Sequence, residues 1–230
     1  MKIGVIVLSR FSSNRLPGKA LMVISGKPIL QYIIERISQV VDTEKIVIAT
    51  SFENSDDKIE QFAQNIGIDC FRGSLDNVAE RFFQAGKNKN WDYIVRINGD
   101  NIFLDINILK DMITIAKTGK YDFITNVKDR TFPKGMSIEI LKLSYFESLL
   151  QQINKEDRYR EHVTLYAYDY PSENNFYYSN SLLPEASGIQ MALDTAEDFE
   201  RTEKIIQHFN GDHFNYNLYE IYNIWKEIQK

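Results

Sequence analysis

Arg10, Arg15 and Lys19 fall in one short loop, residues 9 to 19, directly after the apolar run Ile-Gly-Val-Ile-Val-Leu at 3 to 8. Three cations so spaced suit a polyphosphate, because arginine offers a planar fork to phosphate oxygens and lysine a mobile point charge. Ser9, Ser12, Ser13 and Asn14 add small hydroxyl and amide groups, while Pro17 and Gly18 stiffen and then release the backbone before Lys19. The loop is not the Walker-type GxxxxGKS/T. Taken alone it reads equally as a phosphate cradle or as a solvated basic loop.

Two carboxylates share the same kind of position. Asp100, in Asn-Gly-Asp at 98 to 100, follows the apolar stretch ending at Ile97, and Gly99 lets backbone approach a ligand closely. Asp194, in Leu-Asp-Thr-Ala-Glu-Asp-Phe at 193 to 199, also ends an apolar stretch. A pair of carboxylates at strand ends, facing a cationic loop, matches what Mg²⁺ takes alongside water and phosphate oxygens. Each also has a plainer reading, Asp100 as the cap of a turn and Asp194 or Thr195 as an acidic helix N-cap.

Two further groups are polar enough for binding. In Phe-Arg-Gly-Ser-Leu-Asp at 71 to 76, Arg72, Ser74 and Asp76 suit a base or ribose. The competing reading makes Ser74 or Asp76 a helix cap and leaves the arginines solvated or paired with acids such as Glu80, which fits Arg81 better than Arg72. Arg158, Arg160, His162 and Tyr166 suit an anionic, hydroxyl-rich acceptor, although Tyr166, Tyr168 and Tyr170 at period two equally read as one face of a strand. His208 and His213 have little around them to recommend a role.

The elements that must position these groups alternate. The unbroken apolar run at 3 to 8 reads as a strand buried on both faces. A helix follows with Ile29, Ile33, Ile37 and Val40 on one face, then a strand at 46 to 50, a helix from Asp56 to Ile66 closed by Gly67, a strand at 68 to 72, a helix at 79 to 87 and a buried strand at 92 to 97. Such alternation predicts a doubly wound parallel sheet whose ligands gather beyond the strands' C-terminal ends. Beyond Asp100 the pattern loosens: a helix at 106 to 117, a strand at 122 to 126, an antiparallel or edge strand at 137 to 141, a helix at 144 to 153, a strand ending at Leu193 with a helix after it, and an amphipathic C-terminal helix.

With 230 residues, 43% hydrophobic and 26% charged, the chain reads as one domain spanning 1–230, a nucleotide-binding half to about 105 and an acceptor and dimerisation half from about 106. A net charge of −5 argues against nucleic acid as the main partner. One cysteine, Cys70, excludes an internal disulfide. With no apolar run long enough to span a bilayer and no signal-peptide layout, a cytoplasmic location without a membrane partner is expected.

In order along the chain, SRFSSNRLPGKAL, FRGSLDNVAERF, VRINGDN, FPKGMSIEI, REHVTLYAY and LDTAEDF resemble the CMP-sugar synthetase superfamily, most nearly its spore-coat polysaccharide cytidylyltransferase branch, with acylneuraminate and 3-deoxy-manno-octulosonate cytidylyltransferases as relatives. The resemblance implies a Rossmann-like nucleotide-diphospho-sugar transferase fold of GT-A type, α/β with a mostly parallel central sheet flanked by helices. It implies Mg²⁺-dependent transfer of CMP from CTP to a sugar or sugar acid, releasing pyrophosphate, by a homodimer serving surface glycan synthesis. Carried over by position, Arg10, Arg15 and Lys19 would hold the triphosphate, Arg15 and Lys19 also meeting the departing charge. Leu8, Ser9, Ser13 and Asn98 would line the nucleotide, and Arg72, Ser74 and Asp76 would border the nucleoside. Asp100 and Asp194 would bind the metal, and Glu139, His162 and Tyr166 would face the acceptor.

Some positions depart from the pattern: Leu8 stands for Gln or Pro, Ser12 for Gly, Ile102 for Pro and Ser137 for Asp. The last lies on the acceptor side. Two other functions remain to be weighed, a GT-A-fold glycosyltransferase consuming a nucleotide sugar, which should carry a DxD-type metal motif, and a nucleotide-binding module without turnover.

Overall fold

The computed structural model describes residues 1–12 and 15–229. Ser13, expected to contribute a hydrogen bond in the basic loop, lies outside the described residues.

β1 (Ile3–Leu8) is buried at every position because alternate side chains enter different cores: Val5 and Val7 join one apolar cluster, Ile6 and Leu8 another. A short ribbon, β2 (Val23–Ile24) and β3 (Lys27–Pro28), leads into α1 (Ile29–Ser38). β4 (Ile46–Ser51), α2 (Asp57–Asn65), β5 (Asp69–Gly73), α3 (Val78–Asn88) and β6 (Tyr93–Asn98) complete the alternating half. Then come α4 (Ile106–Ala116), β7 (Phe123–Thr125), β8 (Glu139–Lys142), α5 (Leu143–Ile153), α6 (Asp157–Glu161), α7 (Leu165–Asp169), β9 (Asn175–Tyr177), α8 (Ala196–Gln207) and α9 (Leu218–Ile228).

Among the described residues the strands form a seven-stranded sheet in the order β5-β4-β1-β6-β8-β7-β9. β1 runs parallel to β4 and β6, and β8 pairs antiparallel with both β6 and β7. Helices α1, α2, α4, α8 and α9 supply the core on one face, and α3, α5, α6 and α7 that on the other. The architecture is the Rossmann-like α/β arrangement expected, a mostly parallel sheet flanked by helices. No helix among the described residues is long and apolar enough to cross a membrane.

Three local expectations are corrected. The segment ending at Leu193 is not a strand. It makes one isolated bridge, Lys134 to Gln190, and its apolar character reflects the burial of Met191 and Leu193 in the core without a ladder. The tyrosines at period two lie on helix α7 and its end, where the Tyr166 and Tyr170 rings meet at 4.6 Å, a contact of i,i+4 spacing. The cap of α3 is Asn77, whose side chain accepts from Glu80 N–H, while Ser74 Oγ accepts from Asn77 N–H before the helix begins. The apolar face of α9 packs within the chain through Leu218, Ile221 and Tyr222.

One buried carboxylate ties the basic loop to the sheet. Asp56 is fully buried and accepts from Ser51 N–H at 2.9 Å, Ser51 Oγ at 2.5 Å and Phe11 N–H at 2.6 Å. Burial acts to raise its pKa, but these hydrogen bonds outweigh it and hold the group below the ordinary carboxylate value. Folding therefore favours the ionised form, and that contribution is complete above the ordinary value near ~4 and lost as pH falls through the lower folded value. Asp56→Ala should lower the free energy of unfolding by about 2–3 kcal/mol at neutral pH, measured by urea titration. The gap between wild type and variant should close as the solution is acidified below about pH 4.

Candidate active site

The site begins where β1 and β6 end. Their register sets Leu8 opposite Asn98, and Gly99 N–H donates to Leu8 O at 2.8 Å. A Cβ on Gly99 would sit 2.8 Å from Ser9 Oγ, so only glycine allows the two strand ends to approach this closely. The basic loop leaves the sheet here and is closed by Gly18 N–H donating to Phe11 O at 2.8 Å. Gly18 itself takes a positive φ of 73°, which places Lys19 at the start of a short 3₁₀ turn.

Lys19 then reaches across the sheet. Its Nζ donates to Asp100 Oδ2 at 3.0 Å, Asp194 Oδ1 at 3.1 Å and Leu193 O at 2.8 Å, and Arg15 pairs with the same Asp194 oxygen at 3.1 Å. Neither aspartate is a helix cap. Asp105 caps α4, and Thr195 with Asp198 forms the capping box of α8, leaving the Asp100 and Asp194 carboxylates turned toward the loop cations. Two carboxylates and a carbonyl around one ammonium form an all-oxygen donor set, chemistry that fits a hard divalent cation.

These groups line a cleft of about 440 Å³ walled by five cationic side chains, Arg10, Arg15, Lys19, Arg81 and Arg96, and three carboxylates. Leu8, Ser9 and Asn98 line it as well. A second chamber of about 430 Å³ adjoins it, with Arg96, Asn98 and His162 common to both. Glu139, 3% exposed, lies at its base. Thr164 Oγ1 and Tyr168 Oη donate to Glu139 at 2.8 and 2.7 Å, and Arg96 pairs with its other oxygen. Burial, and after it the Glu139 charge, pushes the Tyr168 phenol far up, so it remains a donor. Val163, between His162 and Thr164, holds a φ of 41°, a strained conformation for a β-branched residue that persists where it directs two chamber-lining side chains.

Other expected residues are placed differently. Arg72 is held by Asp57 at 2.5 Å and Glu60 at 2.9 Å and donates to the carbonyls of Ser51 and Glu53, so it staples β5 to the start of α2 rather than facing the cleft. The assignment of acid pairing to Arg81 rather than Arg72 is thus reversed: Arg81 is the buried one, and it lines the cleft. Asp76 lies with Arg10 on a smaller adjoining cavity of about 320 Å³. Tyr166 packs between the rings of Tyr159 and Tyr170, and Tyr168 takes the chamber position. Sequence reasoning passed over Arg96, although an arginine inside the apolar strand Tyr-Ile-Val-Arg-Ile is itself a mark of a buried, paired charge.

A Rossmann-like sheet with a cation-walled cleft beyond its central strands defines a nucleotide-binding α/β protein. The chain belongs to the cytidylyltransferase family, whose model matches residues 4–223, and it is a nucleotidyltransferase. It is 33% identical to a cytidylyltransferase of solved structure from Leptospira borgpetersenii, over 100% of this chain and 95% of that one, with a TM-score of 0.91. It is 30% identical to the spore coat polysaccharide biosynthesis protein SpsF of Bacillus subtilis, over 88% of this chain and 85% of the relative. A solved CMP:2-keto-3-deoxy-manno-octonic acid synthetase complexed with CTP shares the fold at a TM-score of 0.67 and 16% identity, over 90% of this chain and 99% of that one.

Glu139→Gln should destabilise the protein by about 2–4 kcal/mol, because it leaves Arg96 without its carboxylate. Adding Arg96→Met should restore about half of that loss in a denaturant-based double-mutant cycle.

Proposed function

We propose that this chain transfers CMP from CTP to a hydroxyl of a sugar or sugar acid, with release of pyrophosphate and dependence on Mg²⁺, for surface glycan synthesis. The observation that carries the reading is Lys19, whose ammonium bridges Asp100 and Asp194 at the mouth of the cationic cleft. That arrangement supplies phosphate-binding cations and a metal-binding carboxylate pair within one hydrogen-bond network. The CTP bound by the synthetase of the same fold, and the spore coat polysaccharide role in the SpsF name, support the choice of nucleotide and product class.

In this reading Arg10, Arg15 and Lys19 hold the triphosphate, and Arg15 and Lys19 stabilise the charge that grows on pyrophosphate as it leaves. Asp100 and Asp194 would hold Mg²⁺, which would supply Lewis-acid neutralisation of phosphate oxygens. The second chamber receives the acceptor. His162 and Asn98, common to both chambers, border the path along which the acceptor oxygen bonds to the α-phosphorus while its proton passes to solvent and the bond to pyrophosphate breaks. The Glu139, Thr164 and Tyr168 network offers fixed hydrogen-bonding groups to a hydroxyl-rich ring.

Pyrophosphate release from CTP and Mg²⁺ with a panel of sugars and sugar acids tests the reading. Release with at least one acceptor is expected. Turnover of a nucleotide sugar without pyrophosphate would assign a glycosyltransferase, and CTP binding without turnover a binding module. Asp100→Ala should lower kcat by about 10³-fold or more at an unchanged Tm, and full activity in that variant would remove Asp100 from the metal site. Lys19→Met should weaken CTP binding by roughly tenfold or more while CMP binding changes little. With its two carboxylates no longer bridged, the same variant should gain more Tm than wild type from Mn²⁺ added without nucleotide.

A further inference from the structure

Arg81 is the buried cation of the cleft that phosphate binding does not account for. The residue is 3% exposed, yet it lines the cleft beside Leu8, Ser9 and Val78. Among the described residues its guanidinium makes one hydrogen bond, from Nη1 to Ser74 O at 2.7 Å, and Nε is buried with no partner. Leaving a charged donor in that condition costs on the order of 1–3 kcal/mol unless something else completes it. The chain also makes room for this side chain, since a Cβ on Gly73 would lie 2.8 Å from Arg81 Cγ. Burial lowers its pKa to about 10, so it remains charged at neutral pH.

The surroundings decide what completes it. Lys19 and Arg15 are tied to the Asp100 and Asp194 carboxylates, where the phosphates belong in the proposed function. The cleft that Arg81 lines also carries Leu8 and Val78, apolar side chains that suit the faces of a flat ring more than a solvated phosphate, and Arg10, whose charge reaches Arg81. A fixed guanidinium offers hydrogen-bond donors and no acceptor. Cytosine presents two adjacent acceptors, O2 and N3, whereas uracil presents a donor at N3. We propose that Arg81 reads the pyrimidine edge, donating to O2 and N3 of cytosine and thereby selecting CTP over UTP. The inference rests on the cytidylyltransferase reading and adds the residue that sets its base specificity.

The test compares equilibrium binding of CTP, UTP and 3-deaza-CTP, which has C–H in place of N3, to wild type and to Arg81→Met. Wild type should prefer CTP to UTP and bind 3-deaza-CTP about tenfold more weakly than CTP or worse, the loss of one hydrogen bond to a charged donor. Arg81→Met should lose about 10- to 100-fold in CTP affinity with UTP affinity within about threefold of wild type, so that the preference collapses. Equal losses for CTP and UTP would assign Arg81 to phosphate binding or to folding and overturn the proposal. The 3-deaza comparison uses wild-type protein, so it decides the matter even if Arg81→Met fails to fold: binding as tight as CTP overturns the proposal. A wild type that prefers CTP, with Arg81→Met keeping that preference, overturns the role of Arg81 alone. A wild type that binds no CTP overturns the proposed function together with it.

Discussion

The in-register parallel pairing of β1 with β6 is the constraint on which the rest of the site depends. It ends both strands at the same level, Leu8 opposite Asn98, and brings the backbone after them to 2.8 Å at Gly99. From that junction one chain segment leaves with the cations and the other with Asp100. Had the pairing slipped by one residue, every buried side chain of β1 would change face, so the two apolar cores hold the register that the site needs. Asp56 then fixes the loop's departure angle through Phe11, and Lys19 closes the ring by bridging Asp100 and Asp194.

The second chamber obeys different physics. Its base is a buried carboxylate, Glu139, satisfied by an arginine, a threonine and a tyrosine drawn from β6, the turn after α6, and α7. Such a network is stable only when fully satisfied, and it confers fixed geometry rather than net stability. The strained Val163 belongs to the same design, since it aims His162 into both chambers and Thr164 at Glu139. The first cleft is walled by lysine and arginine side chains, and the second chamber by preset hydrogen bonds. Under the proposed function, that contrast suits a flexible, highly charged triphosphate on one side and a rigid polyhydroxy ring on the other.

Much of this was legible in the amino-acid order. The unbroken apolar run at 3 to 8 and the largely apolar stretch at 92 to 97 declared buried parallel strands, and the position of Asp100 directly after the second declared a strand-end carboxylate. Lys19 was legible for the same reason, as a cation in the loop after the central strand. The misplaced tyrosines and the false strand before Asp194 share one cause: over five or six residues, apolar period alone does not separate a strand from a short helix or a buried extended segment.

The sequence by itself therefore determined the order and burial of the strands and the chemistry available beyond their ends, because periodicity records which side chains leave water. Tertiary structure alone decided which partner each charged group keeps. Arg72 and Arg81 are similar in sequence setting, yet α2 presents Asp57 and Glu60 to the first, while the second is enclosed at the cleft with Ser74 O as its one hydrogen-bond acceptor among the described residues. Tyr168 rather than Tyr166 meets Glu139 because β8, some 29 positions away, lies beneath α7 in the folded chain. A guanidinium or a phenol is completed by groups distant along the chain, and only the packing of elements brings those groups within hydrogen-bond reach.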